Sequence, residues 1–152
     1  MSRRDQIRMT DEEVDTFLAG RLVMNVASLG KDGRPHLVAM WYGFLEGAPA
    51  FWTYGRSQKI VNLRRDPRIT CLVEDGEAYE ELRGVELVGT ARLVEDHDSL
   101  MAIGRSVFER YTGPWSDETL PILESVGAKR VGVVIDVASV VSWDHRKLGG
   151  RY

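Results

Sequence analysis

The 152-residue sequence predicts a mainly β protein, an antiparallel barrel with peripheral helices, on three observations. Apolar, partly β-branched runs come in hairpin-like pairs, LVMNVASL before HLVAMWYGF and RITCLVE before VELVGTARLV, with Asp-Gly turns between the members of each pair. No regular helical crossovers join the runs, so a parallel doubly wound sheet lacks its connections. The helix-compatible stretches are short and punctuate the strand series.

Taken in order, Thr10 stands three residues before Glu13, the spacing of a capping box, and Val14, Phe17, Leu18 and Leu22 come after it at helical intervals. That predicts a short amphipathic helix. Residues 22–29 then read as a strand, Asp32-Gly33 as its turn and residues 36–44 as the returning strand. Glu46-Gly47 marks the next turn, before a third strand at residues 50–53. Ser57 caps an expected two-turn helix running to Leu63, which Asp66-Pro67 ends because a residue preceding proline avoids the α region. Residues 68–74 resume as strand, and after Asp75-Gly76 residues 85–94 form a longer one carrying Gly89, a candidate bulge or close-approach position. A helix is expected over 98–111, broken by Gly113-Pro114, then a shorter one over 117–126 and a last strand over 131–143.

The length fits a single domain over residues 1–152, and 43% hydrophobic with 28% charged residues suits a folded chain. A net charge of −3 gives no general attraction to nucleic acid, so anion chemistry has to come from a local basic cluster. Cys71 is the only cysteine, which excludes an internal disulfide. The first residues lack the apolar stretch of a signal peptide, and no window approaches the ~20 apolar residues that span a bilayer. A cytoplasmic protein with no membrane partner is therefore expected.

The local basic cluster is TYGRSQKIVNLRRDPR, residues 53–68. A phosphate needs converging donors: free N–H groups at a helix start, a hydroxyl and one or two cations. Ser57, the N–H groups after it, Arg56 and Lys59 supply all three types at the end of a strand. The other reading is a solvated charged face formed by Arg56, Lys59, Arg64, Arg65 and Arg68. Chemistry alone leaves both open. The P-loop and the dinucleotide-binding glycine pattern are both absent. His36, His97 and His145 are too scattered to suggest a metal site, and no serine has a hydrolase nucleophile context. His36 is placed to reach a cofactor from its strand.

Several segments taken together resemble the pyridoxamine-phosphate-oxidase-like split β-barrel superfamily, which includes the flavin/deazaflavin oxidoreductases. They are Asp32-Gly33-Arg34-Pro35-His36, Phe51-Trp52-Thr53, Ser57-Gln58-Lys59, the run from Asn62 to Arg68 and Val88-Gly89-Thr90-Ala91. The resemblance implies a homodimeric split β-barrel with a flavin or deazaflavin in the groove between protomers. Thr53, Ser57, Gln58 and Lys59 match positions that hold phosphate and ribityl chain, and Asn62 belongs to the same run. Val38, Ala39 and Met40 match the wall along the tricyclic ring. Val38 and Gly43 stand where a vitamin B6 oxidase carries arginine and lysine, and Gly84 replaces its glutamine after Arg83. The resemblance therefore points to the B-type flavin/deazaflavin oxidoreductases, many of which use coenzyme F420, whose anionic tail Arg56, Arg64 or Arg68 would meet.

The activity implied by that resemblance is hydride transfer from reduced F420 to an unsaturated small molecule such as an enone, quinone or tetrapyrrole. FMN in the same fold is the alternative, and a non-catalytic carrier of flavin, deazaflavin or haem is the third reading. Trp41, Tyr42 and Met40 are expected on the substrate side, with barrel core as the other reading for the aromatics and an equal one for Trp41. Trp143, Arg146 and Lys147 are expected to close the groove from the partner protomer.

Overall fold

Alternation along the strands sets the inside of the barrel. The computed structural model describes residues 1–20 and 23–151. Strand β1 (Met24–Leu29) turns Met24, Val26 and Ser28 inward, and β5 (Arg68–Asp75) does the same with Ile69, Cys71 and Val73. These residues meet Val85 and Leu87 of β6 (Arg83–Val94), Phe51 of β4 (Ala48–Tyr54) and Val131, Val133 and Ile135 of β7 (Arg130–Asp144) in one core. With β2 (Pro35–Met40) and β3 (Gly43–Leu45) they form a single antiparallel sheet ordered β2-β1-β5-β6-β7-β4-β3. The sheet curls into the split β-barrel that the sequence predicts.

Helix α1 (Arg3–Ile7) begins the chain, and α2 (Asp11–Leu18) drops Val14, Phe17 and Leu18 onto the main core. The capping box of α2 is formed: Glu13 N–H donates to Thr10 Oγ1 at 3.2 Å and Thr10 N–H to Glu13 Oε2 at 2.7 Å. Leu22 lies outside the described residues. Helix α3 (Gln58–Arg65) comes after β4, while α4 (His97–Tyr111) and α5 (Leu120–Gly127) cover the outer face of β4 and β7. There Ala50, Trp52 and Val134 pack with Leu100, Ile103 and Leu123 in a second core. Strand β4 is thus buried on both faces, which explains its nearly unbroken apolar sequence. No helix among the described residues is long and apolar enough to cross a membrane.

Two elements differ from the expectation. The run HLVAMWYGF splits after Met40, and β3 pairs with β4 instead of extending the first hairpin. Tyr42 causes the corner, because its ring is fully buried and its hydroxyl donates to the Leu18 carbonyl at 2.5 Å. Gly43 permits it, since a Cβ there would sit 2.5 Å from Ser106 Oγ, which accepts from Phe44 N–H at 2.9 Å. The other difference is α1, which Ser2 and Asp5 close with a capping box of their own. Gly89 does sit at a bulge: pairing passes from Val88–Ser139 to Gly89–Val137, and a Cβ at Gly89 would collide with the Asp136 carbonyl.

Candidate functional site

Helix α3 packs against β1 and closes one end of the barrel with polar side chains that are buried in a row. Lys59 Nζ donates to Thr53 Oγ1 at 3.0 Å, both residues being buried. Burial pushes the Lys59 ammonium below the ordinary lysine range, and the nearby Arg130 guanidinium adds to the shift. One turn on, Asn62 is fully buried: its Nδ2 donates to Ser28 Oγ at 3.2 Å and its Oδ1 accepts from Gln58 Nε2 at 2.8 Å. Ser28 faces His36 across the β1–β2 register. The row therefore runs from Thr53 through Lys59, Asn62 and Ser28 to His36.

Two atoms in this region are left over. Ser57 Oγ and His36 Nδ1 are buried and make no hydrogen bond among the described residues. Ser57 has N-cap backbone geometry, φ −65° and ψ 153°, yet its side chain makes no cap bond, contrary to the capping role expected of it. A hydroxyl at the positive end of α3, beside Lys59 and unspent on the helix, is a group available to an anion.

The arginines divide. Arg68 holds Asp66 through Nε at 3.0 Å and Nη2 at 2.7 Å, and this pair brings the Asp66 carboxyl down to about 2. Arg64 pairs with Glu95 at 3.0 Å on the surface, leaving Arg56 exposed and without an ion pair among the described residues. Of the three arginines expected to meet an anionic tail, only Arg56 is uncommitted. Arg130, which no motif marks, comes to the same end of the barrel because β7 pairs with β4 and sets it opposite Tyr54.

The expected ring wall and substrate side are rearranged. On β2, Val38 and Met40 are half-buried against the core, while Ala39 is exposed, as edge-strand alternation requires. Tyr42 belongs to the core: burial pushes its phenol up to about 12, and Arg110 lies 4.6 Å over its ring. Trp41 is not core, being 54% exposed and stacked on Tyr111 at 4.6 Å between centroids. Trp143 is half-buried across from Gly84, where a Cβ would run into its ring. Arg146 binds Asp144 at 2.6 Å, and Lys147 binds Glu13 at 2.5 Å and the Arg8 carbonyl at 2.8 Å. Within the chain these two charges fasten the C-terminal turn.

A curled antiparallel sheet with a strand, turn and short helix carrying a buried lysine and an unbonded serine hydroxyl at one end defines a split β-barrel with a polar, cation-bearing end. The chain belongs to the pyridoxamine 5'-phosphate oxidase family, whose profile matches residues 10–144. Among solved structures, the conserved hypothetical protein Rv2991 from Mycobacterium tuberculosis is similar at 45% identity and TM-score 0.95, over 100% of this chain and 95% of its own. An F420 reductase is similar at 23% identity and TM-score 0.65, over 83% of this chain and 94% of that one. HutZ, the heme storage protein from Vibrio cholerae, is similar at 13% identity and TM-score 0.67, over 87% of this chain and 94% of its own. The last two likenesses show the fold alone. No curated protein matches the sequence.

Proposed function

We propose that the protein is a homodimeric, F420-dependent oxidoreductase that reduces an unsaturated small molecule of enone, quinone or tetrapyrrole type. The observation that carries this reading is the unspent Ser57 hydroxyl beside the buried Lys59 ammonium and Thr53, a phosphate seat whose donors are already in place. The chemistry of the donor set fits the group: a hydroxyl, a cation and helix N–H groups for phosphate, with Gln58 and Asn62 alongside for a hydroxylated chain. Val38 in place of an arginine removes one cation from the seat, and Arg56 stands free for a longer anionic tail.

Coenzyme F420, when bound, supplies the hydride. Lys59, Ser57 and Thr53 would hold the phosphate, and Asn62, held by Ser28 and Gln58, ties α3 to β1. His36 Nδ1, buried and unspent on the core-facing side of β2, would present a polar atom to the ligand, while Ala39 lies on the opposite side of the strand. Trp41, stacked on Tyr111, gives an exposed aromatic plate for a planar substrate. The protein's contribution would be orientation of the two reactants, and the proton that balances the hydride would be drawn from solvent, with no dedicated acid.

Steady-state oxidation of reduced F420 with a panel of enones, quinones and tetrapyrroles tests turnover. Acceleration by at least one acceptor, lost in Lys59→Ala, supports the proposal. A second reading, a haem-carrying role, rests on His36 Nδ1, which is buried and makes no hydrogen bond among the described residues. Haem binding that disappears in His36→Ala, together with no turnover on any acceptor, would establish that reading instead.

A further inference from the structure

A second cluster of cations stands beside the phosphate seat, on the other side of β4. Thr53 points into the barrel, whereas Trp52 and Tyr54 point outward, and the Arg130 guanidinium lies over both rings at 5.2 and 5.0 Å. Trp52 is a rigid base, because α4 and α5 approach it so closely at Gly104 and Gly127 that a Cβ at Gly104 would enter its ring. The orientation of Arg130 is therefore set by the core. Its Nε is buried and makes no hydrogen bond among the described residues. A buried donor left unsatisfied is costly, and an arginine fork whose plane is already fixed suits an oxyanion. Arg130 opens on a cleft of about 620 Å³ lined also by Tyr54, Arg56, Lys129 and Glu95. Arg64 holds the Glu95 carboxylate at 3.0 Å, so the cleft stays strongly positive.

We propose that this cleft is an oxyanion site in which Arg130 grips a phosphate or carboxylate group, with Arg56 and Lys129 as flanking cations. It is separate from the Ser57–Lys59 seat and does not depend on which tricycle that seat holds. The oxyanion is either a free anion or the terminal group of a ligand whose body lies in the neighbouring seat.

Calorimetric titration with inorganic pyrophosphate at low ionic strength tests the site in a Ser57→Ala/Lys59→Met chain, where the neighbouring seat is disabled. Saturable one-to-one binding is expected there, and Arg130→Gln in that background should weaken it about tenfold or more, as loss of a bidentate charged contact does. Arg130→Lys, which keeps the charge and loses the fork, should fall between the two and covers the case in which the glutamine variant fails to fold. Absence of saturable binding in the double variant, or binding unchanged by both Arg130 substitutions, overturns the proposal. Arg130→Gln in the otherwise native chain separates the two sources. Reduced F420 affinity places that ligand's own anionic tail on Arg130, and unchanged F420 affinity assigns a free anion.

Discussion

Ser57 shows how little the identity of a residue says about its use. A serine at an N-cap normally contributes about 1 kcal/mol through its side-chain bond, but here the hydroxyl makes no such bond. Ser57→Ala should therefore leave the unfolding free energy of the ligand-free protein within ~0.5 kcal/mol of the parent, by denaturant titration, while weakening cofactor binding about tenfold. Lys59 gives a pH signature. In the free protein burial, then the charge of Arg130, lowers its pKa, and a bound phosphate favours the ammonium and raises it again. Binding thus takes up a proton between the two values, so affinity is full below the free-protein pKa and is lost as the pH rises past it. Titrations across the alkaline range should show this loss, and Lys59→Met should abolish the trend. At this scale the sequence singles out Thr53, Ser57 and Lys59 only through the family resemblance, because a basic run after a strand serves equally as a solvated face. Arg130 is not legible, since only strand pairing brings it opposite Tyr54. Tyr42 is misread because an aromatic pair at the end of a strand gives no sign of which ring turns in.

Arg110 links three elements. From α4 it donates to the carbonyls of Leu18 at 3.3 Å, Ala19 at 3.1 Å and Gly20 at 2.6 Å, where α2 ends, and to that of Tyr42 at 2.9 Å, at the corner between β2 and β3. Its guanidinium also lies over Tyr42 and Phe44. A cation at the carboxyl end of a helix is favourable, and truncating this one leaves several partly buried carbonyls unpaired. Arg110→Ala should cost about 3 kcal/mol of stability, read from a shifted denaturation midpoint with an unchanged slope. The strands themselves are legible wherever one face is buried, since alternation marks β1 and β5 residue by residue. The bulge is legible through Gly89, whose bare backbone meets the Asp136 carbonyl. The corner at Trp41 and Tyr42 is not, because HLVAMWYGF contains no breaker before Gly43 and its bend depends on a long-range bond to Leu18. Helix α1 escapes the sequence for a simpler reason: RRDQI buries nothing and has no periodicity to detect.

The whole molecule leaves apolar side chains outside. Leu37 is 69% exposed on β2, and Val137 and Val140 are 40% and 38% exposed on β7 beside the bulge. Exposed apolar positions of this kind suit a second copy of the chain, the dimer that the family resemblance implies. Sedimentation analysis should find a dimer that Leu37→Asp or Val140→Asp shifts toward monomer, with cofactor affinity falling in step if the groove between protomers forms the site. The family is recognisable from the sequence through joint spacing: Ser57-Gln58-Lys59, then Asn62-Leu63 and Asp66-Pro67, fixes a strand, seat and helix stop together. The choice between tricycles has no such constraint, because Val38 and Gly84 remove contacts without adding a new one. An equilibrium fluorescence titration of the purified protein against F420 and against FMN, side by side, decides it. Saturable F420 binding at least tenfold tighter than FMN binding is expected, and tight FMN binding with no F420 binding would contradict the proposed function.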